Sequence, residues 1–148
     1  MAARRLQTYT SLWAMMPHDD SGETLSYDAI CEMVAGAGYD GMAIDLGAGD
    51  VAQAREVRPH MERNGLTPLI VAFPKTIESL RETLIMAKDF GAPFVDVIGQ
   101  VMPLSVDGMI PVIRKWIDMS NEIGMPIQFE THRNCITNDL YATLCLID

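Results

Sequence analysis

The sequence predicts an α/β fold built from repeated strand–helix units. Two observations carry the prediction. Five short β-type runs alternate with longer amphipathic stretches, and four glycines sit at the same place in the repeat, after a helix and before a strand. Alternation of this kind implies parallel strands joined by helical crossovers.

The elements follow in order. The β-type runs are Thr8–Met15, Gly41–Leu46, Leu66–Phe73, Phe94–Gln100 and Pro126–His132, rich in Val, Ile, Phe and Leu and short for helices. Between them, Ser26–Tyr39 places Ile30, Met33, Val34 and Ala37 at helical spacing. Asp50–Asn64 opens with a capping Asp, and Thr76–Phe90 opens with Thr76 and carries Glu78 and Glu82 early, where acids suit the helix dipole. Val106–Ile123 carries Ile110, Ile113, Ile117 and Met119, and Asn138–Asp148 begins a further helix. Gly38, Gly65, Gly91 and Gly124 occupy the position just past a helix, where a positive φ is required.

The spacing leaves two architectures open. A (β/α)8 TIM barrel uses about 31 residues per unit, so 148 residues would supply about five units. A flavodoxin-like, doubly wound open sheet of five strands is also of this length. Against the open sheet, the turn Met16-Pro17-His18-Asp19-Asp20 has no glycine-rich phosphate cradle. The final helix also has no closing segment. Residues 1–148 are expected to form one domain, a truncated barrel.

Composition narrows the function classes. A formal net charge of −9, with scattered basic residues, disfavours nucleic acid and anionic membrane surfaces. No apolar run approaches the ~20 residues of a membrane span, and the residues after Arg4-Arg5 are too polar for a signal peptide. Three cysteines, Cys31, Cys135 and Cys145, without paired spacing suggest reduced thiols and a cytoplasmic setting. Cys31 and Cys145 read as packing residues, and methionines such as Met15, Met16 and Met102 as gap-fillers.

The string Phe129-Glu130-Thr131-His132-Arg133-Asn134, followed by Thr137-Asn138-Asp139-Leu140, resembles the fifth-strand region of the sugar phosphate isomerase/epimerase family, the xylose isomerase-like TIM barrels. The approach Ala37-Gly38-Tyr39-Asp40-Gly41 and the segment Val97-Ile98-Gly99-Gln100 add to the resemblance. It implies the first five units of a barrel and a divalent metal, Mn²⁺ or Mg²⁺ with Zn²⁺ as a further candidate, near the C-terminal strand ends. In ketose epimerase relatives a Glu ending the fifth strand binds the metal and takes part in proton transfer, a role that falls on Glu130. The implied reaction is isomerisation or epimerisation of a small sugar or polyol through an enediolate. The relatives' other ligands come from later strands. The acid often found early in the second strand is Ala43 here, with Asp45 two places on, and a second Glu of the epimerases is Ile136. The chain alone is therefore expected to bind metal weakly and to be inactive.

Strand alternation places Gln128, Glu130 and His132 on one face, with Ile127, Phe129 and Thr131 on the other. His132 is a candidate for contacting substrate, and the planar fork of Arg133 for holding a phosphate or carboxylate. Gln100, sharing a face with Asp96, is a candidate for lining the site, and Trp13 for stacking on a sugar. Asp45 and Asp96 read first as caps or loop partners, and His60, in a charged helix, as solvated. Two rival functions stand beside the enzyme: a non-catalytic half-barrel assembly module and a flavodoxin-like binding domain. Open sheet edges in either barrel reading predict a homo-oligomer.

Overall fold

The computed structural model describes residues 5–16, 25–47, 49–101 and 105–147. His18 and Met102, both singled out above, lie outside the described residues. The strands β1 (Tyr9–Ser11), β2 (Gly41–Asp45), β3 (Thr67–Ala72), β4 (Val95–Val97) and β5 (Ile127–Phe129) form one sheet in chain order, β1-β2-β3-β4-β5. The pairs β1–β2, β3–β4 and β4–β5 are parallel. A flavodoxin-like sheet would run 2-1-3-4-5, so that alternative is excluded. The helices are α1 (Leu12–Met15), α2 (Tyr27–Gly36), α3 (Val51–Arg63), α4 (Leu80–Phe90), α5 (Val106–Ile123) and α6 (Leu140–Ile147). Among the described residues no helix is long and apolar enough to cross a membrane.

The chain divides into two compact units, Met1–Leu69 and Ile70–Asp148. In the first, Ser26 caps α2 by accepting from Ala29 N, and Asp50 caps α3 by accepting from Gln53 N. Ile30, Val34, Met42, Ile44, Val57 and Met61 form its core, joined by Cys31. Met33 points outward instead, half exposed. The expected first strand is only half strand. Ser11 ends β1, and Leu12-Trp13-Ala14-Met15, which has no β-branched residue and favours the helix, turns into α1. His60 is not simply solvated, because its Nδ1 lies 2.9 Å from Asp28 Oδ1, which also accepts from Arg63.

In the second unit, α4 starts at Leu80 rather than Thr76. Thr76 and Ser79 bond reciprocally, each hydroxyl accepting from the other's backbone N–H, and this turn precedes the helix. Along α5 the buried positions are Met109, Trp116, Met119 and Ser120, not the isoleucine stripe. Trp116 sets that orientation: it is fully buried and donates its indole N–H to the Ile77 carbonyl at 3.0 Å. Arg81 on α4 forks onto Glu122 on α5 at 2.9 and 2.6 Å, an exposed pair worth little to stability. The four glycines at helix exits have φ of 66° to 85°, as the repeat required.

Candidate active site

Strand β4, Val95-Asp96-Val97, buries both valines completely and leaves Asp96 half-buried on the opposite face. Its neighbour β5 pairs Asp96 with Gln128 and Val97 with Phe129. Paired residues of parallel strands share a face. The face of Val97 and Phe129 is the helix side, because Phe129 stacks on Trp116 of α5 at 6.2 Å and 27°. Asp96, Gln128 and Glu130 therefore alternate onto the other face, as the sequence pattern predicts. The Glu130 N–H donates to the Val97 carbonyl at 3.1 Å and extends the ladder one residue past β5. Its carboxyl group is the charged neighbour that acts on Asp96.

These two carboxyl groups form the electrostatic centre of the site. The Asp96 pKa is raised to about 6. Burial is the largest cause, followed by a hydrogen bond to Glu130 and repulsion from its charge, opposed by a bond from the Val97 backbone. Sequence reasoning ranked Asp96 as a cap or loop partner, and the structure gives it Glu130 as its partner instead.

The segment after Glu130 places the remaining candidates. His132 Nδ1 donates to the Arg133 carbonyl at 2.7 Å, which assigns the proton to Nδ1 and leaves Nε2 as an acceptor. The ring of Phe73, just past β3, meets the His132 ring edge-on at 6.0 Å. Arg133 is exposed, and its guanidinium makes no bond or ion pair among the described residues, so it does not neutralise Glu130. Gln100 is half-buried, and its backbone N–H donates to the Pro74 carbonyl at 3.0 Å. Strand β4 ends short of Gln100, because Pro74 has no N–H to return the ladder. Trp13 lies on α1, about half exposed, in the other compact unit. Asp45 closes the turn after β2 by accepting from Gly47 N at 2.7 Å.

The loop from Glu130 to α6 is pinned at several points that the sequence did not single out. The Ile136 N–H donates to the Gly99 carbonyl at 2.9 Å, and the Ile136 side chain is buried over Gly99. A Cβ on Gly99 would lie 2.7 Å from Ile136 Cδ1 and 2.9 Å from Trp116 Cζ3, so a larger residue there would have to push these side chains aside. Asn134 adopts φ 55°, and its N–H donates to Asn138 Oδ1 at 2.7 Å. The buried Thr137 hydroxyl donates to the Glu130 carbonyl at 2.8 Å. Ser, Thr, Asn and Asp readily form such turns, and the run Thr137-Asn138-Asp139 was the available signal.

A catalytic divalent ion generally takes at least three protein ligands. Among the described residues no group of three or more His, Cys, Asp and Glu is placed to hold a metal. The donors gathered here stop at Asp96 and Glu130, so they do not by themselves make a complete metal centre.

No protein-family model matches the sequence, and no curated protein matches it. Solved structures do. The type I 3-dehydroquinate dehydratase of Clostridium difficile superimposes with a TM-score of 0.52 at 18% identity, over 84% of this chain and 51% of that one. The 3-dehydroquinate dehydratase of Geobacillus kaustophilus HTA426 gives 0.54 at 16%, over 83% and 49%. The N-acetylneuraminate lyase of Proteus mirabilis gives 0.55 at 17%, over 85% and 46%. The chain spans about half the length of these enzymes. At such identities the likeness speaks for fold alone, and the fold is that of five parallel βα units of a TIM barrel.

Proposed function

We propose that this chain carries the proton-transfer element of a sugar isomerase or epimerase, acting beside the carbonyl of a small sugar, sugar phosphate or polyol-derived substrate. The Asp96–Glu130 pair is the observation that supports this reading most. It sits at the exits of adjacent parallel strands, the end at which TIM-barrel active sites gather. A carboxyl that titrates near pH 6 can both hold and release a proton close to neutrality.

In the proposed reaction the Glu130 carboxylate takes the proton from the carbon next to the carbonyl. The C–H electron pair moves into a carbon–carbon double bond, and the carbonyl oxygen takes the proton held by Asp96, giving an enediol. Glu130 then gives its proton to the neighbouring carbon while the Asp96 carboxylate takes the proton of the hydroxyl on the first carbon, which becomes the new carbonyl, and the substrate is isomerised; if an acid on the opposite face protonates the first carbon instead, and Asp96 takes back the proton that it gave, the substrate is epimerised. His132, with Nε2 free to accept, orients a substrate hydroxyl. Arg133 holds an anionic group, and Gln100 lines the site. Glu130 would be one ligand of a divalent ion, Mn²⁺, Mg²⁺ or Zn²⁺, which would supply charge stabilisation to the substrate oxygens when bound.

The test is a half-reaction that does not need full turnover. The chain is incubated with a panel of aldoses and ketoses in deuterated water, and deuterium at the carbon beside the carbonyl is followed by NMR. Incorporation that is lost in Glu130→Gln and in Asp96→Asn supports the reading. Incorporation that both variants retain, or none with any sugar, overturns it.

The assembly-module reading is favoured by a separate observation. Leu140, Tyr141, Leu144 and Ile147 leave a largely exposed apolar stripe on α6, and β1 and β5 each have one neighbour in the sheet. A homo-oligomer would cover these surfaces. Sedimentation equilibrium at micromolar concentration should show self-association that Leu144→Asp weakens, and a monomeric wild-type chain would remove this reading.

A further inference from the structure

We infer that Lys75, on the loop leaving β3, and Arg133, on the loop leaving β5, together hold the terminal oxyanion of an acidic sugar, whether a sugar acid or a sugar phosphate. The inference rests on the proposed site at these strand exits and narrows its substrate class. Lys and Arg are scarce between the strands of the second unit and the helices that follow them. Residues 73–79 contain Lys75 alone, residues 98–105 contain none, and residues 130–139 contain Arg133 alone. Neither cation is neutralised. Both are exposed, and neither the Lys75 ammonium nor the Arg133 guanidinium makes a bond or ion pair among the described residues. Elsewhere in this acidic chain Arg5, Arg58, Arg63 and Arg81 each meet a carboxylate, of Asp40, Glu62, Asp28 and Glu122, at 2.6 or 2.7 Å.

The fold brings the two loops together. Strands β3 and β5 flank β4, so their axes lie about 10 Å apart. Three contacts past the end of β4 join the loops. The Phe73 ring meets the His132 ring at 6.0 Å, the Gln100 N–H donates to the Pro74 carbonyl at 3.0 Å, and the Ile136 N–H donates to the Gly99 carbonyl at 2.9 Å. Lys75 is two residues beyond Phe73, and Arg133 is next to His132. The loops are thus fixed to one another while both charged ends remain in solvent. The two side chains suit one ligand. The guanidinium offers paired N–H donors to two oxygens, and the ammonium adds a compact charge on a flexible stem. Phosphate and carboxylate both meet the guanidinium fork, and either still attracts the second cation. Charge also sets the ligand's direction. The Glu130 carboxylate repels an anion, so the charged end goes to Lys75 and Arg133 and the carbonyl end is left for Glu130.

The test is isothermal titration of the chain with gluconate, sorbitol 6-phosphate and neutral sorbitol, the two acidic probes separating a carboxylate ligand from a phosphate. At least one acidic probe should bind about tenfold or more tightly than sorbitol. Lys75→Gln and Arg133→Gln should each remove most of that preference. Lys115→Gln takes an exposed cation from α5 at the same cost in net charge and should leave the preference in place. All three positions are exposed, and circular dichroism checks that each variant is folded. Acidic probes that bind no better than sorbitol overturn the subsite. So does a loss confined to one of the two site variants, or an equal loss in Lys115→Gln, which marks diffuse attraction alone. The isomerase reading fails separately. Acidic-probe binding that needs both cations, with deuterium exchange retained in Glu130→Gln and Asp96→Asn, sinks that reading and leaves the oxyanion subsite standing. Exchange lost in those variants, with no preference for acidic probes, does the reverse.

Discussion

Replacing Asp96 by Asn tests the site through stability, without any knowledge of substrate. In the folded chain Asp96 titrates near pH 6, against about 4 for an unperturbed carboxyl. Between those values the folded state holds a proton that the unfolded state has released, so stability must fall as pH rises from about 4 to about 6 and level off above. A two-unit gap is worth roughly 2.7 kcal/mol if undiminished. Asp96 is only half-buried, and solvent screening brings the expected loss to the order of 1–2 kcal/mol. Asn keeps the shape, carries no titrating proton and can still donate to Glu130. At neutral pH the variant should therefore be more stable than the wild type by about 1 kcal/mol, or about 2–4 °C in thermal midpoint for a chain of this size. Below about pH 4 that advantage should vanish. Urea unfolding followed by circular dichroism at a series of pH values measures both proteins. Asp28 and Glu122, held low by their cationic partners, titrate equally in both, so the difference curve isolates Asp96. A difference curve that is flat, or that rises with acidification, would refute the account of the pair.

Two further expectations follow from the same region. Gly99→Ala should destabilise by about 1–3 kcal/mol through the crowding of Ile136 and Trp116; in an Ile136→Ala background the cost should shrink, and strict additivity in a double-mutant cycle would contradict the contact. Isothermal titration with Mn²⁺ should show weak binding that strengthens above about pH 6, as the ion competes with the Asp96 proton for the same oxygens. Tight, pH-independent binding that survives Glu130→Gln would locate the metal ligands elsewhere.

The parts of this protein that were legible in the sequence are those governed by neighbours along the chain. The capping Asp50, the four positive-φ glycines and the alternation of Ile127, Gln128, Phe129 and Glu130 each follow from local backbone rules, and each is found in place. Their regular recurrence was enough for the parallel βα repeat. Local rules could not separate a barrel order from an open-sheet order, since both use the same units, and strand pairing decided it. Nor could they set the outward face of α5, which the single indole of Trp116 fixes by its burial and its bond to Ile77. The site shows the same division. Glu130 was identified by its setting in a motif, whereas Asp96 belongs to a distant segment with no distinguishing neighbours. Only the β4–β5 register brings the two carboxyls together, and only burial beside a second charge moves the Asp96 pKa toward neutrality.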